Sequence, residues 1–335
     1  MIIKTVVLTI YFSILLGIGF FASRRIKNIS DYYVGGKKLN YWIAALSARS
    51  TGESGWLLIG VTGMGALMGV SAMWIVVGEV MGVFFSWQYM AKKFKRLTNE
   101  YNSITIPDFL VSHFRPSTNL IRILAATALS LFVVIYVSAQ IDITGKTFES
   151  FLGFNYYSGI AIGFGIVVLY IFSGGFLAVA WSDFFQGSLM FVALLFLPIV
   201  AFFGLSSDTS IINGLNAIDP ALLNIWGPGG FNWINFATVA GLVSIGIGFL
   251  GSPQVYVRFI AIESEDEVEK GKWVAIIYTL LTDTAAVMIG ILGRYILTKS
   301  GQDPEAVLGT AGENVLAMLL NQVMPTVIIG VYIAA

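Results

Sequence analysis

The 335-residue sequence has no cysteine and a single histidine, His113, and only 11% of its residues are charged. Without cysteine there is no disulfide framework, no iron–sulfur cluster and no thiol nucleophile, and one histidine cannot build a histidine-rich metal centre. The shortage of charge excludes more. Soluble domains carry about 25% charged residues, and so few ionised groups cannot cover a water-facing surface. At 57% hydrophobic, with a mean hydropathy of +0.82, the chain is also far too apolar for a disordered segment. Its 19 basic and 19 acidic residues cancel, so nothing points to a nucleic acid as partner.

What the chain has instead is long apolar runs. A membrane helix needs about 20 mostly apolar residues. Eight such segments are expected at 2–23, 41–69, 72–90, 120–144, 156–173, 177–205, 233–257 and 273–298, and a ninth starts near Pro325 and stops at Ala335. At 1.5 Å per residue the ninth reaches only about 16 Å, short of a hydrocarbon layer of about 30 Å. The expectation is one membrane domain, 1–335, belonging to a longer protein cut within its ninth helix. The first run is too long for a signal peptide, lacks a small-residue cleavage site and ends at Arg24-Arg25-Ile26-Lys27. Lysine and arginine placement sets orientation. With the N-terminus outside, 14 of the 19 fall inside, four outside (Lys4, Lys146, Arg294 and Lys299), and Arg49 lies within a span. This predicts a multi-pass protein of the cell (plasma or inner) membrane.

Two spans are interrupted. The second contains Ser50-Thr51-Gly52-Glu53-Ser54-Gly55, and the seventh contains glycines 246, 248 and 251 followed by Ser252-Pro253. Such residues free backbone groups that must be satisfied by protein or by a lined cavity, and matched breaks in two halves mark a transporter binding site. Breaks five helices apart fit a five-helix repeat inserted twice in opposite orientations. A plain packing kink is the alternative for each. The glycine pairs 78/82 and 159/163 have the spacing of close helix contacts.

Ionisable groups inside a membrane are costly and become functional candidates by default. They are Arg49, Glu53, Glu79, Asp142, Asp183 and Asp283. Arg49 and Glu53 stand four apart, the spacing of one helix face, and form a possible buried pair. Asp142 or Asp283 can equally serve Arg49, and Asp283 and Glu79 also suit interhelical hydrogen bonding. On the fourth span Tyr136, Gln140 and Thr144 make one polar stripe, expected to face the bundle interior. Two motifs mislead. Gly52-Glu53-Ser54-Gly55 has the spacing of an intramembrane serine protease, but His113 lies in a polar connection, away from Ser54, so the base is missing. The Gly246-x-Gly248-x-x-Gly251 fingerprint needs a strand before it and here lies inside a membrane span. No organic cofactor is expected.

The chain resembles the sodium/solute symporter family, and within it the sodium/proline symporters. The resemblance rests on Asp31-Tyr32-Tyr33-Val34-Gly35-Gly36, Ser54-Gly55-Trp56-Leu57-Leu58, Ile106-Pro107-Asp108-Phe109-Leu110, the stretch from Gly174 to Asp183 with Gln186, and Pro253 followed by Arg258-Phe259. It implies an all-α, LeuT-type inverted-repeat fold with an incomplete second repeat. It also implies sodium-coupled symport of a small organic solute, such as an amino acid, across the lipid bilayer by alternating access. By resemblance, sodium is held by the backbone carbonyls of Ser50 and Glu53, with hydroxyl residues beyond Ala335, and Asp183 lies on its route inward. Lys37 matches a basic position after the first span. The solute site takes in Ser54, Gly55, Tyr136 and Pro253, with Gln140 and Phe249 beside them. Two departures stand out. Ile245 and Phe249 replace an expected tryptophan and tyrosine. Gly52 replaces an expected aspartate, with Glu53 in place of an apolar residue, as if the carboxylate had moved by one position. A membrane sensor of the same fold and a proton-coupled symporter are the alternatives.

Overall fold

The computed structural model of the chain describes residues 2–205, 210–301, 308 and 312–334. Ser206, where the connection after the sixth span begins, and Ala335 lie outside the described residues. Six helical stretches among the described residues are long and apolar enough to cross a bilayer. Two of them, Tyr41–Glu100 and Tyr156–Phe203, run 60 and 48 residues, too long for one crossing of about 30 Å. Glycines in non-helical conformations divide them: Gly69 (φ 60°, ψ −136°) and Gly175 (φ 54°, ψ −153°). A residue with a β-carbon rarely enters this region. Divided there, the six stretches return the eight expected spans.

In chain order the helices are α1 (Ile2–Ser23), α2 (Ile29–Val34), α3 (Tyr41–Gly55), α4 (Thr62–Met68), α5 (Met73–Phe85), α6 (Lys92–Glu100), α7 (Ile106–Phe114) and α8 (Leu120–Leu152). Then come α9 (Tyr156–Phe203), α10 (Ile211–Ile218), α11 (Trp233–Gly248), α12 (Pro253–Ala261), α13 (Glu265–Lys299), α14 (Val315–Val323) and α15 (Thr326–Ala334). Several run past their expected ends. A π-helical turn, Ser86–Ala91, carries the third span into α6, and α13 starts at Glu265 rather than near Trp273. Hydropathy stops where charge begins, but a helix does not. The basic helix α6 buries Phe94, Lys95 and Thr98, and Ser264 caps α13 by accepting from the Glu267 N–H.

Gly246–Gly251, set aside in the sequence as a dinucleotide fingerprint, follow no strand in the fold. These residues close α11 and make a 3₁₀ turn. The described residues form no β-sheet, and their one β-bridge joins Leu39 to Ile262. That bridge, with Tyr41 N donating to Glu267 (2.8 Å), stitches the start of α3 to the end of α12 and the start of α13. The long helix α13 is the hub and packs against α3, α4, α5 and α9. By contrast, no residue in the most apolar window of α8 is buried.

Close helix contacts fall where glycine permits them. A β-carbon at Gly82 would stand 2.0 Å from the Gly246 carbonyl oxygen, and one at Gly246 would stand 1.8 Å from that of Gly78. The third and seventh spans therefore touch backbone to backbone. Gly159 and Gly163 likewise seat Phe148 and Thr144 of α8. Gly246→Val must push α5 and α11 apart, and overpacking of this kind costs about 1–3 kcal/mol. A lower melting temperature of the purified protein is the expected outcome. An unchanged one contradicts the contact.

Candidate functional site

The second span breaks at Ser54, whose backbone (φ 43°, ψ −150°) lies where glycine is at home and serine is not. Such a conformation costs on the order of 1–3 kcal/mol and persists only where its surroundings impose it. The break exposes the C-terminal end of α3 within the bilayer, where helix carbonyls carry partial negative charge. The carbonyl of Thr51, in the last turn before the break, accepts from the Tyr136 phenol of α8 (2.6 Å). That of Glu53 accepts from the Trp56 N–H. The Ser54 hydroxyl is buried beside Tyr136.

The two broken spans face each other. The Phe249 ring lies with its centroid 4.9 Å from the Arg49 guanidinium, and a β-carbon at Gly52 would stand 2.8 Å from that ring. Position 52 thus cannot hold the expected aspartate while Phe249 stands here. On another side, a β-carbon at Gly55 would meet Ile143 at 2.8 Å and the Gln140 side-chain oxygen at 3.6 Å. Ser54, Gly55, Tyr136 and Gln140 therefore converge on one break, and Phe249 reaches the same turn of α3. Thr144 does not join them, because its methyl packs under Gly163. Pro253 is buried at the first turn of α12, where its fixed φ suits a helix start.

Asp183 lies with Ser50 but is already engaged. Its carboxylate accepts from Ser47 (2.6 Å), Thr51 (3.1 Å) and Arg258 (2.7 Å). Arg258 also donates to the Ser47 and Thr51 hydroxyls (3.0 and 2.7 Å), and the Ser50 hydroxyl donates to the Asp183 carbonyl (2.9 Å). One network therefore joins α3, α9 and α12. Counted among the inner-side charges in the sequence, Arg258 is instead 5% exposed. The available signal was its position as the lone basic residue of an otherwise uncharged helix.

A second network is more deeply buried. Arg49 donates through Nε to Glu53 Oε1 (3.0 Å), with a further contact from Nη2 to the same oxygen, and Nη2 lies 3.7 Å from Glu79. Trp56 Nε1 donates to Glu79 (3.2 Å). Carboxylate oxygens of Glu53, Glu79 and Asp283 all lie within 4.8 Å of one another. The expected Arg49–Glu53 pair is present, but the alternative with Asp142 is not. Asp142 is 45% exposed, pairs with Lys146 (3.2 Å) and accepts from Tyr156 (2.7 Å). Hydropathy alone could not tell a buried carboxylate from one on an exposed helix face.

Two candidates lie elsewhere. Lys37 donates to the Thr98 carbonyl (2.9 Å), and partial burial pushes its ammonium below the ordinary lysine pKa. His113 stacks on Phe109 and meets the Tyr101 hydroxyl (3.2 Å), so its neighbours are those of the polar connection.

A sequence profile of the Sodium:solute symporter family matches residues 32–335. The high-affinity proline transporter PutP of Bacillus subtilis (strain 168) is 36% identical over 294 residues, covering 87% of this chain and 61% of the relative. The osmoregulated proline transporter OpuE of the same strain is 33% identical, over 90% of this chain and 61% of that protein. A sodium/proline symporter of Staphylococcus aureus (strain JH9) is 32% identical, over 86% of this chain and 56% of that protein. The chain thus spans about three fifths of the length of these relatives. Among solved structures, a Na⁺-coupled sialic acid symporter in a substrate-bound outward-open state matches with a TM-score of 0.82. It covers 99% of this chain and 68% of that one at 20% identity, a likeness that shows the LeuT-type fold.

Proposed function

We propose a sodium-coupled transport role for this chain, which belongs to the sodium:solute symporter family. The reading is symport of a small organic solute, proline or a related amino acid, by alternating access. The observation that carries it is the break at Ser54, which faces the seventh-span break through Phe249 and the α8 stripe through Tyr136 and Gln140. Facing broken helices bring carbonyls and hydroxyls together at membrane depth, which suits an ion and a zwitterion together. The solute lies against Ser54, Gly55, Tyr136, Gln140 and Phe249, with Pro253 setting the start of α12. Sodium is held by oxygens of Ser50, Thr51 and Asp183. The Glu53 carbonyl of the expected set accepts from the Trp56 N–H. Phe249, in place of the expected tyrosine, shapes the pocket for a solute that asks for no hydroxyl there. The segment forms one membrane domain, with its N-terminus outside the cell membrane.

Uptake by the full-length protein in proteoliposomes, measured over an amino-acid panel, tests this reading. Uptake of at least one amino acid is expected to require sodium and to fall when choline replaces it. Tyr136→Phe is expected to raise KM for that solute, because the Thr51 carbonyl loses its donor and shifts at the site. Equal uptake in choline contradicts the reading.

A further inference from the structure

The sodium route proposed above uses Ser50, Thr51 and Asp183. Glu53, Glu79 and Asp283 share no residue with it. All three are 0% exposed, and Arg49 beside them is 2% exposed. Three carboxylates therefore stand against one guanidinium, in a medium where an uncompensated charge is not tolerated.

The available donors do not close the gap. Arg49 serves Glu53, and Trp56 serves one oxygen of Glu79. Thr282 lies 3.3 Å from both Glu53 and Asp283, but its single proton also has the Tyr278 carbonyl at 2.8 Å. The Tyr278 hydroxyl is spent on the Gly187 carbonyl (3.0 Å). Glu79 Oε2 and Asp283 Oδ2, both fully buried, receive no hydrogen bond. The surrounding elements add no compensating charge. Helices α4 and α11 carry no ionisable side chain, and Asp183 of α9 is matched by Arg258 of α12.

We propose that Glu53, Glu79 and Asp283, with one of the three carboxyls kept protonated so that Arg49 and one cation balance the other two, form a second cation site, which takes one monovalent cation in addition to the sodium bound at Ser50, Thr51 and Asp183. The donors are hard oxygens from three helices, a set that suits a hard cation rather than a soft one. Their mutual distance, within 4.8 Å, is about twice the 2.3–2.6 Å bond length of an oxygen-bound cation of sodium-like size. A sodium ion and a proton are two sources of the same compensating charge, and the orphan oxygens of Glu79 and Asp283 receive either. Glu53 places the site at the broken helix, so filling it bears on the same moving element as the first ion.

The inference rests on the coupled-transport reading, and the test separates the two. In proteoliposomes of the full-length protein, with the membrane potential clamped, steady-state solute accumulation is measured against imposed sodium and pH gradients. Two coupled cations are expected. With two sodium ions, a tenfold sodium gradient supports a hundredfold accumulation. With one sodium ion and one proton, tenfold gradients of each are needed for the same result. Asp283→Asn and Glu79→Gln are each expected to remove the second dependence and keep the first. A wild-type protein that accumulates tenfold on sodium alone and ignores pH overturns the second site, and so do variants that keep both dependences. Absence of any sodium dependence in the wild type is instead a failure of the coupled-transport reading. The wild-type measurement stands even where a variant fails to fold.

Discussion

Arg49→Ala is expected to destabilise the protein by about 3–5 kcal/mol, the cost of leaving buried charge without its partner. Arg49 is the one cation in contact with Glu53 and Glu79 among the described residues. Its guanidinium also lies over the Phe249 ring, with the centroid 4.9 Å away, so it ties the two broken spans together. Arg49→Lys is expected to rescue only in part, because a lysine cannot present the planar fork that meets Glu53 and stacks on an aromatic face. Replacing Arg49 and Glu53 together by methionine is expected to recover part of the loss, since removing both partners of a buried pair is often close to neutral. Thermal unfolding of the purified protein checks the series. An Arg49→Ala protein that melts with the wild type contradicts the assignment.

Asp183→Asn is expected to raise the sodium concentration that half-saturates uptake by about tenfold or more, equivalent to about 1.4 kcal/mol. Asparagine keeps the shape and loses the charge that both Arg258 and an incoming sodium ion require. In the structure Arg258 holds Asp183 at 2.7 Å while binding Ser47 and Thr51. On the proposed sodium route, the resident guanidinium and a passing sodium ion would compete for one carboxylate beside the broken helix, with sodium displacing Arg258 on arrival and Arg258 returning on release. Arg258→Gln tests the other side of the competition, with sodium affinity expected to rise rather than fall. The sodium dependence of initial uptake rates checks both variants. Unchanged half-saturation in Asp183→Asn removes Asp183 from the sodium route.

Much of this architecture is legible in the sequence, for identifiable reasons. The eight apolar runs are readable because bilayer thickness sets helix length. The breaks are readable because glycine and proline interrupt a helical ladder, and the Arg49–Glu53 pair because four residues separate members of one helix face. The glycines at 78 and 82 announce a close contact, although only the fold shows that Gly246 is the other side of it.

The rest depends on contacts between distant helices. Glu79 and Asp283 each have an innocent reading as interhelical hydrogen-bond formers. Only the packing of α3, α5 and α13 brings them to Glu53. Asp142 lies on an apolar helix as Asp283 does, yet its side chain is half exposed beside Lys146. Arg258 follows an apolar span closely enough to be counted with the solvated charges, and it turns inward because Asp183 awaits it. The replacement of an expected aspartate by Gly52 has no explanation in the sequence alone. In the fold, Phe249 occupies the space that a side chain at position 52 would need.

On the proposed reading, sodium and an organic solute cross together at the facing breaks. Entry of radiolabelled sodium into proteoliposomes, with and without a transported amino acid outside, tests it most directly. The amino acid is expected to stimulate sodium entry, and Asp183→Asn is expected to weaken this stimulation. Sodium entry that is the same with and without a solute demonstrably taken up by the protein would contradict it.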